Sequence, residues 1–211
     1  MTLAQSLIAF LAAAGLLTLT PGLDTAMVLR AATVEGRRAA AMAAIGIGLG
    51  CLIWGGAVAL GIGAMIAAAP AAYLALKWAG VAYLLYLGVR LIAAPRRMIV
   101  LDAGAATGRR GGDLDVLRRG LFTNLLNPKI GVFYVSFLPQ FVPPGMNVPA
   151  CSFMLASLHV VMSLAWFAAL IAATVPIGRF MARPGVATVM DRLTGCVFIA
   201  FGARLALDRR G

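Results

Sequence analysis

Three stretches of this chain contain no Asp, Glu, Lys or Arg: Met1 to Leu23, Ala39 to Leu76, and Ile130 to Gly178. An α-helix rises about 1.5 Å per residue, so about 20 apolar residues cross a hydrocarbon layer of about 30 Å. The second stretch is long enough to reach into a second crossing, and the third must contain more than one. Charged residues make up 12% of the 211-residue chain, against about 25% in soluble domains. An apolar core does not account for so wide a gap. With 62% hydrophobic residues and a mean hydropathy of +0.96, the sequence predicts an all-α integral membrane bundle.

Six spans are expected, at about Leu3–Arg30, Ala39–Ala69, Tyr73–Ile92, Gly120–Phe141, Ala150–Val175 and Val186–Leu207. Five is the competing count, because the uncharged part of the last span, Leu193 to Ala203, is short and flanked by Asp191, Arg192 and Arg204. Charges favour six. Of the 18 basic residues only Lys77 and Lys129 are lysines, and the arginines gather in alternate connections. Arg30, Arg37 and Arg38 follow span one; Arg90, Arg96, Arg97, Arg109, Arg110, Arg118 and Arg119 follow span three; Arg179, Arg183 and Arg192 follow span five. Positive connections stay cytoplasmic, which puts the N-terminus outside and the chain in a cytoplasmic (inner) membrane. The basic tail (Arg204, Arg209, Arg210) fits five spans better.

An internal repeat also favours six. Lys77, Gly80, Tyr83, Tyr86, Gly88, Arg90 and Leu91 of span three correspond, with one residue gapped, to Arg192, Gly195, Phe198, Phe201, Gly202, Arg204 and Leu205 of span six. Two repeats of three spans must lie in opposite orientations, an arrangement used by transporters. The expected organisation is a first three-helix repeat over 1–94, a cytoplasmic basic linker over 95–119, and a second repeat over 120–211.

The formal charge of +11 does not point to nucleic acid, because it is scattered between apolar spans and forms no basic domain. No cleaved signal peptide is expected, since no Lys or Arg precedes Arg30. Cys51, Cys151 and Cys196 have neither CxxC nor metal-ligand spacing and read as small apolar helix residues. No cofactor is expected: one histidine, no nucleophile elbow and no Walker-type loop leave little for enzyme chemistry. Gly46, Gly48 and Gly50 allow close helix packing and would permit a homodimer.

Two interruptions draw attention as sites. A helix break within lipid is tolerated where it lines a cavity or is packed by protein. Thr20, Pro21 and Gly22 form one, with Asp24 just beyond; Asn127, Pro128 and Lys129 form the other. A charge within a span is costly and marks a functional candidate. Counting about 1.5 Å per residue from Arg30 and from Arg119 puts Asp24 about 9 Å and Lys129 about 15 Å from the inner edge, near enough to pair directly or through water. His159, near the middle of span five, reads either as a proton relay or as a packed, hydrogen-bonded residue.

The chain resembles the lysine/threonine exporter family (LysE/RhtB-type) of small amino-acid efflux proteins. The residues that carry the likeness are Leu19, Thr20, Pro21, Gly22, Leu23 and Asp24; Lys77 to Leu84 with Leu87 and Gly88; Gly120, Asn124, Asn127, Pro128 and Lys129; and Phe137 to Val142. Their order and spacing fit along essentially the whole chain. Leu23 departs from the pattern, which usually has a second proline there. The resemblance implies export of amino acids or analogues from the cytoplasm on an ion gradient, with a coupling ion and an amino acid as partners. Carried over by position, Thr20, Pro21, Gly22, Asp24, Asn127, Pro128 and Lys129 become the substrate- or ion-binding candidates. The competing readings are a non-transporting membrane scaffold and a membrane thiol oxidoreductase.

Overall fold

The computed structural model describes residues 2–68, 70–95, 112–174 and 184–207. The segments 96–111, 175–183 and 208–211, with much of the expected linker and the basic tail, lie outside the described residues. Eight helices account for nearly all of what is described, and no strand occurs among the described residues. They are α1 (Leu3–Leu19), α2 (Leu23–Arg30), α3 (Arg37–Ala68), α4 (Pro70–Ala93), α5 (Asp113–Leu125), α6 (Pro128–Val132), α7 (Val148–Ala172) and α8 (Pro184–Leu207). A π-helical turn, Ala31–Glu35, extends α2, while a π turn, Phe133–Phe137, and a 3-10 turn, Leu138–Phe141, extend α6.

Helix ends follow local chemistry. Thr2 and Gln5 form a capping box on α1, and Asn147 caps α7 by accepting from the Ala150 amide at 2.9 Å. At Thr20 the helix stops because Pro21 has no N–H to give, and the chain restarts at Leu23 bent by 52°. Asn127 and Pro128 restart the chain after α5: the Asn127 side chain accepts from the Lys129 amide at 3.1 Å, and Pro128 lies in the first turn.

Both expected interruptions are therefore present. One boundary differs: α5 begins at Asp113, inside the stretch 95–119 expected as linker, so Arg118 and Arg119 are helical. Two acidic residues in its first turn, Asp113 and Asp115, favour a helix start there. Arg119 pairs with Glu35 at 2.6 and 3.1 Å, tying α5 to the end of the first helical unit. Asp191, read from sequence as an end charge, is instead buried in α8.

Small residues set the packing. A Cβ on Gly46 would lie 2.1 Å from the Leu117 carbonyl oxygen, and one on Gly120 2.3 Å from that of Ala43. The backbones of α3 and α5 thus touch at glycines on both sides. On its other faces α3 runs along α7, and a Cβ on Gly55 would lie 2.4 Å from that of Ala156. The α4 and α8 helices meet in the same way, at Gly88 and Gly195. These two groups, α3/α5/α7 and α4/α8, touch one another only sparingly.

Polarity is arranged inside out relative to a water-soluble protein. Asp24, Asn124, Asn127, His159, Asp191 and Thr194 are buried, whereas Ile8, Leu60 and Val161 are each more than 60% exposed. Leaving such a side chain in water forgoes about 1.5–3 kcal/mol; hydrocarbon removes that cost. Among the described residues, α3 over Arg37–Gly61 and α7 are each long and apolar enough to cross a membrane, and the bent pair α1–α2 is together apolar enough to form either a broken third span or a re-entrant loop. The protein is a helical membrane bundle.

Candidate functional site

The two breaks meet. Lys129, in the first turn of α6, extends its ammonium to the end of α1 and donates to the carbonyl oxygens of Leu17 and Thr20, both at 3.0 Å. Pro21 explains the first contact. In an unbroken helix the Leu17 carbonyl would receive the N–H of residue 21, and proline has none. A cation from the second break thus occupies the acceptor left open by the first.

Asp24 lies just past the first break and is 8% exposed. Its carboxylate accepts from Asn124 Nδ2 at 2.8 Å and from Asn127 Nδ2 at 3.2 Å. Asn124 closes α5 and Asn127 opens α6, so the second break supplies both amide donors to the acid of the first. Asn124 also donates to Cys51 Sγ of α3 at 3.3 Å. The Thr20 hydroxyl donates to the Leu16 carbonyl at 2.6 Å, which leaves Thr194 of α8 to donate to the Thr20 hydroxyl.

A polar cavity of about 30 Å³ lies among these groups. Thr20, Gly22, Asp24, Asn127 and Lys129 line it, joined by Cys51, His159 and Ser163 from α3 and α7. Pro21 and Pro128, the other two sequence candidates, act on the backbone by ending α1 and starting α6. His159 is buried, and its Nδ1 pairs with the Tyr134 hydroxyl at 2.9 Å. The residues that sequence reasoning did not assign to the site include Asn124, Cys51, Ser163 and Thr194. Asn124 could have been found, since it sits three positions before Asn127 in the same polar run of an otherwise apolar span. The other three carry no signal that sets them apart from ordinary helix residues.

The cavity brings a cation, an anion and amide donors together inside a bundle with an apolar exterior. Asp24 and Lys129 are each held there by hydrogen bonds to groups of the protein itself.

The profile of the LysE type translocator matches residues 16–209. The chain belongs to this family. The LysE-family assignment covers both helix breaks and every residue of the polar cavity. Among its relatives, an uncharacterized membrane protein of Pseudomonas aeruginosa is 33% identical, over 89% of this chain and 88% of its own length. A homoserine/homoserine lactone efflux protein of Salmonella typhi is 30% identical over 95% and 96%. A leucine efflux protein of Klebsiella pneumoniae is 29% identical over 93% and 92%. No solved structure matches the chain.

Proposed function

We propose that this LysE-family protein is a secondary exporter that moves amino acids or close analogues out of the cytoplasm across the inner membrane, driven by a proton gradient. One observation carries the reading: two helix breaks from different parts of the chain bring a buried carboxylate, two amides and an ammonium together beside one cavity. A zwitterion needs partners of both signs, and these groups together with the freed carbonyls of Leu17 and Thr20 supply them. The names of the efflux relatives point the same way. Asp24 is the residue we assign to the coupling proton.

Six spans in two inverted repeats, 1–94 and 120–211 about a cytoplasmic segment, give this activity its architecture. The packing of α4 on α8 supports the repeat. A Cβ on Gly88 would meet Ile199 at 2.7 Å, and one on Gly202 would meet Leu84 at 3.3 Å. In the sequence correspondence Gly88 matches Gly202 and Leu84 matches Ile199, so the two contacts exchange under the repeat. Gly46, Gly48 and Gly50 of α3 each face a neighbouring helix within the protomer, so a homodimer would use another surface.

The test is release of preloaded basic, hydroxylated and branched-chain amino acids from cells, with and without a proton uncoupler. Uncoupler-sensitive release of one class, lost in Lys129→Met at unchanged protein level, is the expected result. Uncoupler-insensitive release would replace the proton with another driving ion. No release from inserted, folded protein, with Lys129→Met indistinguishable from the parent in every phenotype, would favour the scaffold reading.

A further inference from the structure

The polar cavity has no room for a substrate side chain, and a second, larger pocket adjoins it. About 400 Å³ of space lies between α3, α4 and the α5–α6 break, in the seam where the α3/α5/α7 group faces α4. Its wall includes Trp54, Ala79, Tyr83, Val132 and Val135, and among the described residues no charged side chain contributes to it. Asn127 lines both spaces. Gly131 helps to form the wall, because a Cβ there would lie 2.9 Å from the Trp54 ring and press the indole out of place.

Resting on the amino-acid export reading, we infer that this pocket is the side-chain subsite, and that the substrate class is neutral amino acids with a bulky apolar side chain. The α-ammonium and α-carboxylate engage the Asp24, Asn127 and Lys129 groups, while the side chain crosses Asn127 into the space walled by Trp54, Tyr83 and Val135. The volume falls in the range of small-molecule pockets. An apolar wall with no counter-charge excludes a lysine-like side chain, since burying an unpaired ammonium is prohibitive. A side chain as small as that of alanine leaves the pocket unfilled and gains nothing from it.

The experiment is exchange of radiolabelled leucine, alanine and lysine by the full-length protein in proteoliposomes, which needs no ion gradient. The wild type is expected to prefer leucine over alanine and to leave lysine outside. Val135→Trp and Ala79→Phe, each filling the pocket, are expected to cut the ratio of leucine to alanine exchange at least 10-fold, as losing side-chain contacts in an apolar pocket does, while an unchanged thermal midpoint in detergent shows the protein to be folded. Leucine and alanine falling together in both variants, leucine exchange that ignores both, or lysine exchanging as well as leucine would overturn the inference while leaving amino-acid transport standing. A lipid that copurifies with the wild type and is lost from both variants, with leucine exchange unaltered, would reassign the pocket to lipid. No exchange of any amino acid by folded wild type would overturn the transport reading and this inference with it.

Discussion

Lys129 donates to the Leu17 carbonyl, the one acceptor in α1 that Pro21 leaves without its helical partner. The two residues come from different breaks, more than a hundred positions apart. The contact makes the second break a structural complement of the first, and a loss at either is felt at both.

Lys129→Met is expected to abolish efflux and also to lower stability. It leaves the Leu17 and Thr20 carbonyls without this donor, and an unmade buried hydrogen bond costs about 1–3 kcal/mol. The thermal midpoint in detergent should fall alongside the initial efflux rate. A midpoint equal to the parent's would show that Lys129 has no structural part in holding the break.

Asn124→Ala separates position from charge. It keeps Asp24 ionisable but removes the 2.8 Å donor to its carboxylate, a charge-assisted bond of about 1.5–3 kcal/mol. Efflux should fall about 10-fold or more, with the protein still inserted. Asn127→Ala should cost more stability, because that side chain also caps α6, a role worth about 1 kcal/mol. Equal stability of the two variants would contradict the capping role.

The glycines separate into demanding and permissive positions. Gly50→Ala would put a methyl 2.6 Å from Asn124 Oδ1, and Gly46→Ala one 2.1 Å from the Leu117 carbonyl oxygen. Each should cost about 1–3 kcal/mol or more by overpacking, and Gly50→Ala should also lower efflux by displacing Asn124. Gly56→Ala meets nothing within 4 Å and Gly22→Ala only ordinary contacts, so both should keep the parent's stability to within about 1 kcal/mol. Denaturation in mixed micelles ranks the four.

Tyr134→Phe deletes the hydroxyl paired with His159 Nδ1 at 2.9 Å. The buried imidazole then lacks that partner, and stability should fall by about 1–2 kcal/mol. Retained efflux would assign His159 a packing role. Efflux lost at unchanged midpoint would instead place the pair in the proton path.

The membrane class and the position of both breaks were legible in sequence because they rest on local chemistry. Uncharged runs exclude water-exposed helices, and proline removes a donor wherever it stands. The α5 start was misplaced because the arginines of 95–119 resembled connection residues, whereas Asp113 and Asp115 at a helix N-terminus were the better local signal. The site was half legible. Asp24 and Lys129 are conspicuous as charges in apolar surroundings, but Asn124, Cys51, Ser163 and Thr194 resemble any small polar helix residue.

By itself, then, the sequence determined that this chain is a helical membrane bundle broken at Thr20–Gly22 and Asn127–Lys129, since both follow from hydropathy and backbone donors. Only the tertiary structure decided that the two breaks close on one another. That depends on which helices touch, and contact is set by glycines such as Gly46 and Gly120, whose missing Cβ atoms admit a neighbouring backbone without identifying it. The same distance-dependent packing buried Asp191, paired Thr20 with Thr194, and opened an apolar pocket behind Asn127 that no stretch of sequence encodes on its own.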